Sequence, residues 1–273
     1  MNNSFSADWL ALREPADTAS RDAELNAGLL AWRQKRGHLS VLDLGSGTGT
    51  NFRYLAPLMG CEQRWWLVDH DPVLLADGEK LSREWAKQRG IDPTLTWRLL
   101  DLVGDWEQLD MPDIDLVTAS ALIDLVSADW LGRFARRCRE WRAAVFVTLS
   151  YDGRIAWEPA LEDDERACEQ VNRHQRTDKS FGPALGPDAP ATLAILLRQL
   201  GYWVMLRPSP WLLEPEYATL QTALLEGWVE AVRAIAPESS GWLDGWATQR
   251  RHLIEQGASR LYVGHWDLLA WLK

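Results

Sequence analysis

Residues 38–51 read HLSVLDLGSGTGTN. An apolar run of strand length ends near Asp43 and turns through glycines at positions 45, 47 and 49 into a segment with helical periodicity. Glycine at such a turn lets the backbone approach a ligand closely. The dinucleotide pattern G-x-G-x-x-G would need glycine where Thr50 stands, and the spacing here is G-x-G-x-G preceded by D-x. The strand and helix on either side therefore predict a nucleotide-type site that differs from the dinucleotide one.

Short apolar runs alternate with longer amphipathic runs over the first 150 residues, which is typical of βαβ units on a parallel sheet. The predicted strands are 39–44, 64–68, 95–100, 114–119 and 144–149. The predicted helices are 50–59, 72–88 and 128–142. A further helix over 20–35 is expected to pack as a flap near the ligand edge of the sheet.

The pattern changes after residue 150. Residues 152–186 are polar, carry an acidic cluster at 162–165 and end in the loop FGPALGP, so they predict an insertion or lid. Helical or strand-like patterns follow at 189–200, 202–208, 217–235, 242–256 and from Arg260 onward. We expect one domain over 1–273, made of a ligand-binding core at 20–150, the insertion at 151–186, and C-terminal helices and last strands at 187–273.

Composition excludes several classes of protein. With 47% hydrophobic and 25% charged residues, the chain has the apolar mass of a globular protein. Its net charge of −10 disfavours nucleic acid as a partner. We also expect no membrane partner and a cytoplasmic location, because neither a signal peptide nor a run of roughly 18–20 apolar residues is evident. Cys61, Cys138 and Cys168 are too widely spaced to predict a metal site.

Four ordered segments resemble the class I S-adenosylmethionine-dependent methyltransferases. DLGSGTG, at 43–49, is similar to the family's first motif, D/E-x-G-x-G-x-G, at every defined position. The resemblance continues through WWLVDHD at 65–71, LLDLVGD at 99–105 and DIDLVTASALIDLVS at 113–127. It implies an α/β fold, Rossmann-like and doubly wound, with a mostly parallel seven-stranded sheet and, in this chain, helical insertions. It also implies S-adenosyl-L-methionine as the methyl donor.

The resemblance also implies which residues bind the donor. Asp69 would hold the ribose hydroxyls, Asp101 would accept from the adenine amine, and Asp43 would lie toward the methionine amino group. The full implied set is Asp43, Gly45, Ser46, Gly47, Gly49, Asp69, His70, Asp101, Leu102 and Ser120. The three acids each have an alternative explanation as turn, cap or loop residues, because aspartate commonly serves those positions.

The acceptor site is expected near a local reversal of charge. Residues 171–182, VNRHQRTDKSFG, hold three basic residues and a histidine within seven positions of an acidic chain. This pattern predicts Arg173 and Arg176 as ligands of an anionic or carbonyl-bearing acceptor, and His174 as a general base. The alternative is a solvated helical face that pairs with the acids at 162–165.

The 17 tryptophans are expected mainly to fill the core, while Trp157, Trp211 and Trp266 are candidates to stack on an acceptor. His265 is expected in the core or at the surface. The segment after the fourth predicted strand lacks N/D-P-P-Y/F and holds one acid, Asp124, which disfavours base-amine and metal-assisted catechol methylation. A small organic acceptor is therefore favoured. Protein or RNA methylation, and donor binding without catalysis, are the alternatives.

Overall fold

The computed structural model describes residues 6–34, 36–60, 62–104, 106, 111 and 113–272. Its central strand is β1 (His38–Leu44), in which every residue after His38 is buried. β1 pairs in parallel with β2 (Glu62–Asp69) on one side and with β4 (Leu116–Ser120) on the other. A strand with parallel neighbours and covered faces needs an almost continuous apolar sequence, and this explains the run LSVLDL.

The sheet has eight strands instead of the predicted seven. The others are β3 (Thr94–Leu99), β5 (Ala144–Glu158), β6 (Tyr202–Pro208), β7 (Trp211–Leu213) and β8 (Arg260–Leu272). Their order is β3-β2-β1-β4-β5-β8-β6, with β7 paired to β8. The first five are parallel, and β8 runs antiparallel to β5, β6 and β7. The three-residue β7 is the additional strand.

β5 is longer than predicted. It continues to Glu158 and pairs with β8 over its whole length, with register shifts between Val147 and Ser150 and between Tyr151 and Ile155. These irregularities interrupt the two-residue alternation that identifies a strand, so the sequence pattern ended the strand too early. The first part of the predicted insertion is therefore an extension of the sheet.

Helices cover both faces of the sheet. Those of the described residues are α1 (Ala7–Ala19), α2 (Ala23–Arg33), α3 (Thr50–Met59), α4 (Pro72–Arg89), α5 (Ala128–Trp141), α6 (Asp164–Gln175), α7 (Ala189–Gln199), α8 (Ala218–Ile235) and α9 (Ser240–Glu255). The helix predicted over 20–35 corresponds to α2, but it is not a flap, because Leu25 and Leu29 pack in the core against the sheet. The sequence analysis missed α1, which Ser6 caps by accepting a hydrogen bond from the Trp9 amide at 3.1 Å.

Several tryptophans fill the core, as predicted; Trp65, Trp106 and Trp130 are fully buried. Cys138 and Cys168 are free thiols, and Cys61 lies outside the described residues. Within the described part of the chain, no cluster of three or more His, Cys, Asp or Glu side chains is arranged to hold a metal ion. The same residues contain no helix with the length and apolarity needed to span a bilayer.

Candidate active site

A cavity of about 680 Å³ opens at the carboxyl ends of β1, β2 and β4. In an open α/β sheet this edge is where ligands bind, because the strand order reverses there. One end of the cavity is lined by the loop after β1 and the first residues after β2. The other end is lined by residues of α6, α8, β5 and β8, and α1 covers part of the opening.

The loop after β1 requires glycine on conformational and steric grounds. Gly47 and Gly49 have φ angles of +51° and +79°. A Cβ atom on Gly49 would lie 2.7 Å from Oγ of Ser82 and 2.8 Å from the Trp97 ring. A Cβ atom on Gly47 would lie 2.8 Å from the Leu10 side chain of α1. The backbone therefore passes close to α1 and α4, with its amides near the cavity.

Asp69 joins two of the segments found in the sequence. One carboxylate oxygen accepts a hydrogen bond from the Gly47 amide at 2.8 Å, and the other accepts from the Asp71 amide at 3.0 Å. Nδ1 of His70 lies 3.3 Å from the second oxygen. Asp69 is buried and lines the cavity, whereas Asp71 caps α4 by accepting from the Val73 amide.

A buried polar cluster lies behind the glycine loop. Asn51 donates to Asp43 at 2.9 Å and to Thr118 at 3.0 Å, and its carbonyl oxygen accepts from Arg21 at 3.2 Å. Burial raises the pKa of Asp43 to about 7, although the Asn51 hydrogen bond and Arg21 oppose the shift. Nε and Nη1 of Arg21 have no hydrogen-bond partner among the described residues. Sequence reasoning missed Arg21, which lies outside the recognised segments.

The structure brings most of the predicted donor-binding residues together. Those that line the cavity are Gly45, Ser46, Gly47, Asp69, His70, Asp101, Leu102 and Ser120. Asp43 and Gly49 lie behind this lining. Asp101 is exposed and accepts a hydrogen bond from the Val103 amide at 2.8 Å, which is the loop role considered as its alternative.

His174 and Lys179 face the opposite end of the cavity. Nζ of Lys179 lies 3.3 Å from both ring nitrogens of His174. Burial, and then the neighbouring ammonium, lower the pKa of His174, so the ring is neutral at pH 7. Burial also lowers the pKa of Lys179.

Arg173, Arg176 and Trp157, which the sequence predicted as acceptor ligands, do not line the cavity. For the two arginines, the geometry of α6 explains why. Positions 171, 174 and 175 of α6 face the cavity, with the i, i+3, i+4 spacing of one helical face. Arg173 and Arg176 are exposed instead; Arg173 donates to Gln170 and Arg176 pairs with Asp188 at 3.0 Å. These two arginines thus lie on a solvated helical face, as the alternative had it, but their partners are Gln170 and Asp188 and not the acids at 162–165.

The tryptophans named as acceptor candidates are divided between the cavity and the rest of the fold. Trp211 lines the cavity, whereas Trp157 and Trp266 do not. Trp157 is buried against Trp228, with the Arg250 guanidinium 5.0 Å from its ring centroid. The structure therefore places Trp157 in the core that α6, α8 and α9 form.

Two buried polar residues that the sequence analysis did not propose as site residues line the end of the cavity that His174 and Lys179 face. Asp124 follows β4 in a short helix, Ile123–Leu125, and its Oδ1 has no hydrogen-bond partner within the described residues. Burial raises the pKa of Asp124 to about 6. His265 of β8 has an unpartnered Nδ1 by the same criterion, and burial lowers its pKa to about 3. The signal for Asp124 was an acid within the otherwise apolar run ALIDLV.

Arg13 and Asp17 of α1 line the same end of the cavity as a pair. Two guanidinium nitrogens of Arg13 donate to the two carboxylate oxygens of Asp17, at 2.9 and 3.1 Å. Nε1 of Trp211 also donates to Asp17, at 3.1 Å. The charge of Arg13 is therefore compensated locally.

Comparisons with known proteins give one family match and several solved structures of low sequence identity. Residues 41–143 match a family model described as a methyltransferase domain. No curated protein sequence matches the chain. A methyltransferase from Geobacter sulfurreducens, solved with S-adenosyl-L-homocysteine, is 15% identical, with 96% of this chain and 98% of that chain covered and a TM-score of 0.47. A cyclopropane synthase from Mycobacterium tuberculosis is 14% identical, with 97% and 94% covered and a TM-score of 0.49.

Similarity at these levels says nothing about the acceptor. The domain match begins within β1 and ends after α5, so it contains the glycine loop, Asp69, Asp101 and Ser120. The parallel order β3-β2-β1-β4-β5 places these segments along one edge of the sheet. Residues 41–143 of the chain are therefore similar to a methyltransferase domain.

Proposed function

We propose that this protein transfers the methyl group of S-adenosylmethionine to a small organic acceptor that carries an anionic or carbonyl group. One observation carries the proposal: the glycine loop and the His174–Lys179 pair line the same cavity. Its volume, about 680 Å³, lies in the range of about 300–1,000 Å³ that small-molecule sites occupy. Donor and acceptor can therefore meet inside one chamber.

The polar groups at the glycine-loop end fit the donor. When bound, S-adenosylmethionine supplies an electrophilic methyl group on a sulfonium. Asp69 holds the loop through Gly47 and keeps further lone pairs that can accept from ribose hydroxyls. Asp101 and Leu102 lie where the adenine would reach the cavity wall.

Lys179 supports an anionic or carbonyl group on the acceptor. Arg13 and Lys179 are the basic side chains of the described residues that line the cavity, histidines apart. Arg13 is already paired with Asp17, whereas the contact of Lys179 is with the neutral His174 ring. The Lys179 ammonium therefore remains available to a ligand. We place acceptor recognition at Lys179 and His174, in preference to Arg173 and Arg176.

The apolar walls support a transfer protected from water. Leu10 of α1 packs against Gly47, and Leu122, Leu125, Leu149 and Leu224 contribute apolar surface. In-line displacement depends mainly on holding the nucleophile and the methyl carbon at near-attack distance. Excluding water also prevents competing reactions.

Calorimetry with S-adenosylmethionine, followed by a single-turnover incubation with methyl-labelled donor and a cell extract, tests this proposal. We expect a dissociation constant below about 1 mM and label in the small-molecule fraction. Label in protein or RNA would support macromolecular methylation instead. Donor binding with every fraction unlabelled would support a non-catalytic binding protein. Tighter binding of a nicotinamide dinucleotide would contradict the donor assignment.

A further inference from the structure

We infer that the methylated atom is an amine nitrogen, which Asp124 binds as an ammonium at the acceptor end of the cavity. The inference rests on the proposed function, because the cavity must hold the donor for an acceptor to react there. It concerns a group that neither the sequence resemblance nor the domain match assigns.

The first observation is that Asp124 lines the cavity and that one of its carboxylate oxygens accepts no hydrogen bond from the described residues. Asp17 is paired with Arg13, and Asp69 accepts from two backbone amides. Asp101 is exposed to solvent. Asp124 is 7% exposed, and its Oδ1 has no partner among the described residues. A buried carboxylate oxygen without a partner carries a large desolvation cost, which a ligand that donates to it would relieve.

The position of Asp124 is the second observation. It stands four residues after Ser120, the last residue of β4, and both line the cavity. Ser120 is also expected beside the methionine part of the donor. A ligand atom held by Asp124 therefore lies on the side of the cavity where the methyl group would be presented.

The walls of the cavity form the third observation. The aromatic rings that line it are those of Trp9, Tyr151, Phe181, Trp211 and Trp228, with His265 beside Trp211 at a centroid distance of 4.9 Å. Aromatic faces attract cations electrostatically, and the attraction grows when water is excluded. Aromatic walls beside the buried carboxylate of Asp124 favour an ammonium over a neutral alcohol.

The charges around Asp124 also favour a bound ammonium. Asp17 compensates Arg13, so Arg13 only partly offsets the charge of Asp124. Burial raises the pKa of Asp124 to about 6, which leaves it mostly ionised at pH 7.5. A hydrogen bond between an ammonium and a carboxylate is roughly twice as strong as one between neutral groups.

The proton and electron balance follows from this arrangement. Asp124 accepts one proton from the ammonium, which frees the nitrogen lone pair. The lone pair forms a bond to the methyl carbon as the carbon–sulfur bond breaks, and that bonding pair stays on sulfur. The products are the methylated ammonium and neutral S-adenosylhomocysteine, and the proton on Asp124 leaves to solvent. A carboxylate with a raised pKa is better suited to this proton transfer than an ordinary one.

The test compares two amines that carry a carboxylate with alcohols of the same skeleton: 4-(aminomethyl)benzoate and 4-(2-aminoethyl)benzoate against 4-(hydroxymethyl)benzoate and 4-(2-hydroxyethyl)benzoate. Calorimetry at pH 7.5 uses the full chain saturated with S-adenosylhomocysteine, where these amines are protonated as lysine is. We expect at least one amine to bind tenfold or more tightly than its alcohol. Asp124→Asn should reduce this preference to less than twofold, whereas the exposed Asp129→Asn should keep it.

The preference should also depend on pH. Other titratable groups that face the cavity at this end are Arg13, Asp17, Tyr151, His174, Lys179 and His265. All of them are retained in Asp124→Asn, so the difference between the wild-type and variant profiles isolates Asp124. As pH falls through about 6, Asp124 becomes protonated and neutral, and the wild-type preference for amines should disappear.

The outcomes separate this inference from the proposed function. If S-adenosylhomocysteine and S-adenosylmethionine fail to bind, the proposed function itself is wrong. If the donor binds but no amine is preferred over its alcohol, the amine assignment is wrong, and this wild-type result does not depend on any variant folding. A preference that persists in folded Asp124→Asn would likewise overturn the role of Asp124.

Discussion

At the scale of single residues, Asp69 connects two segments of the fold and lines the cavity in which we propose that the donor binds. Its two oxygens accept from the amides of Gly47 and Asp71, so it connects the loop after β1 to the start of α4. Its remaining lone pairs face the cavity. A structural role therefore accompanies the expected ribose contact instead of replacing it.

Asp69→Ala should weaken S-adenosylmethionine binding by about 10- to 100-fold, the loss expected for one charge-assisted hydrogen bond. Calorimetry measures this directly. Asp77→Ala, at an exposed position of α4, is the matched control and should bind the donor as the wild type does. Unchanged affinity in folded Asp69→Ala would contradict the assignment.

Lys179→Met should raise the acceptor Michaelis constant by about 10- to 100-fold once an acceptor is identified, because it removes the available ammonium of the cavity. It should also raise the pKa of His174 toward its ordinary value, as measured by NMR titration of the ring protons. Arg173→Ala should leave both quantities unchanged, since that side chain is outside the cavity. If Arg173→Ala raised the Michaelis constant and Lys179→Met did not, the result would support the sequence prediction that the arginines bind the acceptor.

At the scale of elements, two helical glycines have opposite surroundings. Gly78 of α4 packs beneath the glycine loop, and a Cβ atom there would lie 2.7 Å from the Trp97 ring and 3.0 Å from the Thr48 backbone carbon. Gly132 of α5 has space, because its nearest neighbour, Nη1 of Arg136, lies 3.6 Å away. Helix propensity alone does not distinguish the two positions.

Gly132→Ala should raise the free energy of unfolding by about 0.5–1 kcal/mol, the propensity difference between alanine and glycine in a helix. Gly78→Ala should lower it by about 1–3 kcal/mol, because overpacking outweighs that gain. It should also weaken donor binding by displacing Thr48. Urea unfolding of both variants is the measurement, and equal shifts of the same sign would disprove the steric argument.

At the scale of the whole molecule, the acceptor end depends on a second hydrophobic core beyond the donor-binding part of the sheet. The outer halves of β5 and β8 pack there with α6, α8 and α9. Arg250 of α9, fully buried, donates to both oxygens of Asp164 and to the Pro159 carbonyl at 2.7 Å. Trp246 also donates to Asp164, at 2.8 Å.

Asp164→Ala should lower the free energy of unfolding by about 3–5 kcal/mol, because it leaves the buried guanidinium of Arg250 uncompensated. Asp244→Ala, which breaks the exposed Arg233–Asp244 pair, is the control and should cost about 1 kcal/mol or less. Denaturant unfolding of the two variants gives the comparison. A similarly small decrease in the free energy of unfolding of both variants would mean that other groups compensate the charge of Arg250.

The sequence predicted more residues at the glycine-loop end of the cavity than at the end that His174 and Lys179 face. Asp69, the glycine loop and Ser120 belong to short contiguous segments, and the parallel strands that follow from the apolar alternation bring those segments to one edge. The position of His174 on the cavity side and of Arg173 on the solvent side could not be predicted, because it depends on which face of α6 packs inward. The extension of β5 was hidden by its two register shifts.

The sequence by itself predicted the fold class and the glycine loop, because local patterns encode both: an apolar strand, a turn that only glycine tolerates, and an amphipathic helix. The methyl donor was implied by the resemblance to the methyltransferase family. Only the tertiary structure shows the end of the cavity at which we propose that the acceptor binds. Asp17, Asp124, Lys179 and His265 come from α1, the segment after β4, the loop after α6 and β8, and no spacing relates them. Their proximity, and the burial that leaves Asp124 without a partner, arise from how the long β5–β8 pair packs against α1 and α8.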